Sequence, residues 1–439
     1  MEFKRIIRLA KEGIWILLGQ ISIVAGSLVL VRVLTQYLDP DQYGYLALGL
    51  TIASFVNQVV MGGITNSIGR FFSIAAGRGE LKLFFESCYH LMTYASILVV
   101  IIITVLALVR IIAPISQWID LANIALIFAT ISGWNAGCNA IQNAARHRPI
   151  VAFHGGLEVW LKILFSVLLI YMFEPSSVLI MVGFIFSAIL VTCSQFVFLN
   201  RIGISEHPTD ATSPNWGFRM WSYAWPFSIW GIFTWAQQIS DKWALQAFGS
   251  LEEVGLYAVI FQLGYTPISL VMQMVMAFLG PILFQRSGSA TDEKSNRAVH
   301  LIAWRITLLG LSFTAIATIL TFTLHEKIFE LFVAKKFHEV SYLLPWMIFS
   351  GGIFSAGQIL SLKILAQIKP KALIGVKVFS AIVGLLANIV GAVLFGLEGV
   401  VTSMIIVSSV YFLLMIFLSR KSSEINNSDC WLSLKVNIF

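Results

Sequence analysis

Stretches of roughly 20 mostly apolar residues, each long enough to cross a bilayer as a helix, recur about twelve times along this chain, with short polar breaks between them. This pattern leaves few folds open. In hydrocarbon every backbone N–H and C=O must be satisfied internally, so uninterrupted apolar runs of this length resolve as transmembrane helices. The runs lie at about 14–34, 44–67, 87–109, 119–144, 150–172 and 177–200, then at about 222–247, 254–283, 300–324, 341–366, 372–395 and 399–418. Charged residues are 12% of the chain, against about 25% in a typical soluble domain. That is too little polar surface to cover a water-facing globule, so the expected fold is an all-α integral membrane protein.

The opening MEFKRIIRLAKEG is basic and runs into the first apolar stretch. That stretch is about 20 residues long and has no small-residue cleavage site, so it reads as an uncleaved first span rather than a signal peptide. With both termini placed in the cytoplasm, nineteen of the 29 Lys and Arg fall in inside segments and four in outside ones. That is the bias expected of cytoplasmic loops. The four cysteines show no metal or redox spacing and imply no disulfide framework. Nothing in the chain calls for a cofactor.

No loop is long enough for a soluble catalytic domain. The largest, about 201–221, carries His207, Pro208, Asp210, Ser213 and Pro214 and reads as a cytoplasmic linker. It divides an N-terminal lobe of six helices (1–200) from a C-terminal lobe (222–418), followed by a cytoplasmic tail (419–439). The lobes echo one another. LTQYLDPDQYGYLALGLTIASF in the first corresponds to LQAFGSLEEVGLYAVIFQLGY in the second, with Gly44 and Gly255 in matching places. Two six-helix repeats of like orientation predict pseudo-symmetric lobes around a central cavity, an arrangement that suits a transporter.

The run VRVLTQYLDPDQYGYLALG followed by GGITNSIGRFFS resembles the span 1–2 signature of Wzx-type O-antigen and oligosaccharide-lipid flippases, and SDKWALQAFGSLEEVGLYAV resembles their span 7–8 signature. These flippases form the polysaccharide branch of the multidrug/oligosaccharidyl-lipid/polysaccharide exporter superfamily. The resemblance extends over the whole chain in length and span count. It implies a flippase of the bacterial inner membrane that moves a polyprenyl-diphosphate-linked oligosaccharide, such as a lipopolysaccharide O-antigen unit, from the cytoplasmic to the periplasmic leaflet by alternating access. Other membrane proteins of glycan assembly are its implied partners.

Six basic residues lie inside spans: Arg32, Lys162, Lys242, Arg305, Lys363 and Lys377, with only Glu158 and Asp241 as acidic company. An intramembrane charge marks a functional site unless it pairs or snorkels, and the positive excess suits an anionic cargo. His154, Glu158 and Lys162 follow at i, i+4 and i+8 along one side of span 5. One reading makes Glu158 and Lys162 a neutralising pair. The other makes them a headgroup site, with His154, Glu158 and Asp241 as candidate ion-coupling groups whose charge can change. Arg32 and Lys242, near the outer ends of spans 1 and 7, either snorkel or rim a cleft. Asp241 points about 100° away from Lys242 on an ideal helix and so need not neutralise it. Arg305, Lys363 and Lys377, near the cytoplasmic ends of their spans, either snorkel to lipid headgroups or line a basic vestibule.

Three neutral polar stripes add to this: Thr51, Ser54, Gln58 and Thr65; Ser132, Asn135, Asn139, Gln142 and Asn143; and Gln262, Thr266, Ser269 and Gln273. They serve either as interhelical hydrogen bonds or as a wet lining for sugar hydroxyls. Span 7 is rich in aromatic residues. Its ends hold Trp221 and Trp243, which suit interface anchors, while the deeper Trp225 and Trp235 either stack on sugar rings or face lipid. Pro267, Pro281 and Pro345 are expected to interrupt spans 8 and 10. Two rival functions stand beside the flippase: a multidrug or organic-cation antiporter of the same superfamily, for which Glu158 would be the acidic site, and a membrane enzyme of glycan assembly, which the short loops disfavour.

Overall fold

The computed structural model describes the backbone of residues 2–112, 116–199, 215–287, 293–366 and 371–436, and the side chains of residues 12–111, 118–199, 215–276, 283, 296–364 and 373–420. The 201–214 part of the expected linker lies outside the described residues, as do the side chains of the basic N-terminus, of Pro281 and of residues 421–439. Among the described residues the chain is almost wholly helical and contains no strand.

The helices are α1 (Glu2–Tyr37), α2 (Pro40–Phe55), α3 (Gly62–Arg78), α4 (Leu81–Ile112), α5 (Ser116–Ala144), α6 (Arg148–Met172), α7 (Ser177–Leu199), α8 (Trp216–Phe248), α9 (Leu251–Ile260), α10 (Thr266–Ser287), α11 (Glu293–Phe332), α12 (Leu344–Ala366) and α13 (Lys371–Val436). Ten described stretches are long and apolar enough to cross a membrane. One of them, Leu373–Arg420, is 48 residues long and turns at Gly396, where φ is 55° and ψ −133°. That conformation is open almost only to glycine, so the stretch holds two spans. Counting α8, 33 residues long, as a further candidate gives ten to twelve candidate membrane helices among the described residues.

Span boundaries shift where packing overrides hydropathy. The second span continues through a π-turn, Val56–Val60, into α3 and ends only at Arg78. Pro345 does not interrupt a helix. It is the second residue of α12, where its missing N–H has no helical partner to lose. Pro267 is the second residue of α10 and directly follows a second π-turn, Phe261–Tyr265. A proline there removes one ladder hydrogen bond and crowds the preceding turn. The π-turn absorbs this, with Phe261 O accepting the backbone N–H of Thr266 and also its Oγ1 at 3.2 Å.

Contacts divide the chain into two compact units, Met1–Ile239 and Ser240–Phe439, so the first part of α8 counts with the first unit. In that unit α5 is the central helix, packed on α2, α3, α4 and α7. In the second, α12 holds the same place, packed on α10, α11 and α13. Each central helix supports its unit's π-turn through a glycine. A Cβ at Gly133 of α5 would sit 2.8 Å from Met61 Cγ, and one at Gly351 of α12 would sit 2.6 Å from Ile268 Cγ2 and 3.1 Å from Tyr265 Cα. Small residues let helices in a membrane approach this closely. The repeated motif read from the sequence therefore has a repeated packing device behind it.

Candidate functional site

The polar interior of the first unit is built on α5, α6 and α7. Lys162 and Glu158, one turn apart on α6, form an ion pair with Nζ 2.6 Å from Oε1. Asn135 of α5 donates to the other carboxylate oxygen at 2.8 Å, and Gln195 of α7 donates to Asn135 Oδ1 at 3.2 Å. The Lys162 ammonium also lies over Phe128 (5.4 Å) and Phe184 (5.6 Å), whose ring faces are attractive to a cation. Three helices thus converge on a single carboxylate, and Gln195, which sequence periodicity did not single out, closes the chain. The neutralising reading of Glu158 and Lys162 matches this geometry, and the amides extend the pair into a network.

The unit also carries spare acceptors. Gln195 Oε1, Asn139 Oδ1 and Asn57 Oδ1 are buried and have no hydrogen-bond partner, while Asn57 Nδ2 donates to Ser132 Oγ at 3.0 Å. Buried polar atoms left this way are uncommon and ask for a missing donor. His154, although on the same side of α6, does not join the pair. Its Nδ1 lies 2.8 Å from Ile150 O and its Nε2 3.0 Å from Ser194 Oγ. A carbonyl only accepts, so Nδ1 donates to it.

The hydroxyls of the span 2 stripe turn back on their own helix. Thr51 bonds Leu48 O, Ser54 bonds Thr51 O and Thr65 bonds Gly62 O, a local use typical of Ser and Thr in helices. Gln58, in the π-turn, reaches α8 instead: its Nε2 donates to Gln238 Oε1 at 3.1 Å. Trp235 Nε1 donates to Thr51 O at 2.9 Å, and its ring stands edge-on to Phe55 at 4.8 Å. Trp235 thus joins two helices of the unit, whereas Trp225 is exposed on α8. Gln142, at the end of α5, is fully buried against His147, with Oε1 2.8 Å from Nδ1.

In the second unit, Asp241 and Lys242 make a pair that helical periodicity does not anticipate. Asp241 is buried, and its Oδ2 lies 3.3 Å from Lys242 Nζ and accepts the Tyr257 hydroxyl at 2.7 Å. Its Oδ1 takes the Lys242 backbone N–H at 2.7 Å. The sequence leaves this pairing open, and the structure makes it. A 100° step separates the Cβ directions, but the four-carbon lysine stem is long enough to bend back. The ammonium then rests 4.3 Å from the Phe261 ring and 5.3 Å from that of Tyr257.

Lys363 also departs from expectation. It is fully buried rather than snorkelling, and its Nζ donates to Ser419 O at 2.7 Å and Ser419 Oγ at 3.1 Å. Arg305 is exposed on α11, and Lys377 on α13, Gln262 in the second π-turn and Arg32 on α1 are half-buried.

The sequence matches the model of a polysaccharide biosynthesis protein family over residues 9–287. No curated protein matches the chain. Among solved structures, the lipid II flippase MurJ in an inward closed conformation has 12% identity and a TM-score of 0.70, covering 98% of this chain and 93% of that one. A mutant of the Vibrio cholerae MATE transporter VcmN has 14% identity and a TM-score of 0.65 over 94% and 96%. A MOP superfamily transporter from Pyrococcus furiosus, described as having reversed polarity in its binding pocket, has 15% identity and a TM-score of 0.59 over 93% and 96%. At these identities the likeness shows a shared fold, that of the MOP-superfamily transporters. With a family match across more than half its length, the chain belongs to the polysaccharide biosynthesis protein family.

Proposed function

We propose that this protein is a flippase that carries a polyprenyl-diphosphate-linked oligosaccharide, such as an O-antigen unit, from the cytoplasmic to the periplasmic leaflet of a bacterial inner membrane by alternating access. The observation that carries the reading is the first unit's amide network. Gln195, linked through Asn135 to a carboxylate already paired with Lys162, presents a buried oxygen without a donor, and so do Asn139, one turn along α5 from Asn135, and Asn57, bonded to Ser132 of α5. Sugar hydroxyls are donors of the kind those oxygens lack. Because Glu158 already holds Lys162 and Asn135, this part of the site reads the glycan. Trp225, exposed on α8, is available to stack on a sugar ring.

The same geometry disfavours export of organic cations, since such a cargo would have to displace an ammonium already 2.6 Å from Glu158. No step of the proposed cycle makes or breaks a covalent bond.

The test is complementation of a bacterium that lacks its own exporter of a lipid-linked glycan. Wild-type protein should restore surface glycan, while Asn139→Leu and Gln195→Leu, at normal protein level, should leave lipid-linked units trapped on the cytoplasmic side. Full surface display by both variants, or glycan units already outside in the deletion strain, would overturn the reading.

A further inference from the structure

The turn that joins α5 to α6 places three basic residues in succession, Arg146, His147 and Arg148. Its backbone closes α5 in the manner of a left-handed helix cap, with His147 N donating to Gln142 O at 2.9 Å and Arg146 N to Asn143 O at 3.1 Å. The left-handed residue of such a cap is usually glycine or asparagine. Here it is Arg146, at φ 61°, the one non-glycine residue with positive φ among the described residues. An exposed guanidinium is thus held where its backbone is strained.

Under the turn lie two donors with nothing to donate to. Gln142 has 0% relative exposure, and its Nε2 has no partner although its Oε1 meets His147 Nδ1 at 2.8 Å. With its oxygen end turned to His147, the amide leaves Nε2 on the other side of the group. Arg148 gives Nη1 to Asn143 Oδ1 at 2.5 Å, while its Nε is buried without a partner. Arg148 is also the first residue of α6, 25 residues long, with Pro149 in its first turn. That end of a helix favours negative charge. Two unfilled donors, three basic residues and the start of α6 thus fall within residues 142–149, with no acidic residue among them.

We infer that the α5–α6 turn is a binding site for a phosphate or diphosphate group, held by Gln142 Nε2, Arg148 Nε and the Arg146 guanidinium. Oxyanions accept several charge-assisted hydrogen bonds at once, and arginine's planar fork suits them. The site stands on its own donors and does not depend on the flippase reading. The same chemistry is offered by a free polyphosphate and by a lipid phosphate.

The experiment uses the purified full-length protein. Its thermal midpoint is followed in detergent against inorganic pyrophosphate at constant ionic strength, and in nanodiscs of phosphatidylcholine with and without phosphatidylglycerol. A saturable rise of about 2 °C at ten times Kd is expected. A rise with pyrophosphate in detergent identifies the free-anion source, and a rise only with phosphatidylglycerol identifies the lipid headgroup. Gln142→Met, which removes the donor at similar volume, and Arg146→Gly are each expected to weaken the response at least tenfold. Arg146→Gly also relieves the left-handed strain, so its midpoint without ligand should equal or exceed wild type, an outcome that misfolding does not mimic. No saturable response to either ligand, or responses unchanged in both variants, would overturn the assignment.

Discussion

Lys242 folds back on the residue before it in the chain, so that its ammonium sits 3.3 Å from Asp241 Oδ2 while its own backbone N–H donates to Oδ1. The Tyr257 hydroxyl and the rings of Phe261 and Tyr257 complete the enclosure. A buried pair of this kind adds little against an apolar replacement of both partners, but removing one partner strands the other. Asp241→Asn should therefore lower stability by about 3–5 kcal/mol, read as a lower midpoint of thermal unfolding. The double change Asp241→Asn with Lys242→Met should recover most of that loss. A double variant as unstable as the single one would show that the pair is not what ties these groups together.

The same logic applies in the first unit with a different functional outcome. Lys162→Met leaves Glu158 with only Asn135 as a side-chain donor and should cost about 3–5 kcal/mol. Pairing it with Glu158→Gln should restore folding, since a neutral amide still accepts from Asn135. Double-mutant-cycle midpoints measure this directly. If the refolded double variant still displays surface glycan, the charge pair is structural and the amides alone serve the cargo.

Two glycines on α3 make opposite predictions from one turn to the next. A Cβ at Gly63 would fall 2.4 Å from the Ala224 carbonyl oxygen of α8, whereas one at Gly69 would meet nothing within 4 Å. Gly63→Ala must push α8 away and should destabilise by about 1–3 kcal/mol, as overpacking does. Gly69→Ala, in the same helix, should be neutral or stabilising by up to about 1 kcal/mol. Thermal midpoints of the two variants, measured side by side, check the close approach of α3 and α8.

Gly396 offers a purely conformational test. With φ 55° and ψ −133°, alanine at this position should cost about 1–3 kcal/mol, because the mirror-image extended region excludes a Cβ. The turn is also met by Glu253, whose Oε1 accepts the Leu397 N–H at 3.4 Å while its Oε2 accepts the Ser250 N–H at 3.1 Å. Glu253→Gln should cost clearly less than Gly396→Ala, since an amide oxygen still accepts one of those bonds. Equal losses for the two variants would mean that the carboxylate, not the backbone, shapes the turn.

Some of the site was legible before any coordinates. The i,i+4 spacing of Glu158 and Lys162 implies their pairing because helix geometry alone brings those positions together. The stripe through Asn135, Asn139 and Gln142 likewise marks the polar face of α5. Gln195 escaped notice because it stands alone in an apolar helix, and only the packing of α7 on α5 gives it a partner. Lys363 was misjudged for a related reason. Whether a lysine near a helix end reaches headgroups or turns inward depends on the neighbouring helix, here α13 with Ser419 O.

By itself the sequence determined the class of protein and roughly how many membrane helices it has. The bilayer demands internally bonded helices of about 20 apolar residues, and that demand is local, so it is written in hydropathy. It also carried the repeated motif at Gly44 and Gly255. Only the tertiary structure decided which charges are paired, which amide oxygens are left wanting a donor and where the helices yield to π-turns. Those outcomes depend on side chains from different helices competing for the same few partners, in a medium that offers none of its own.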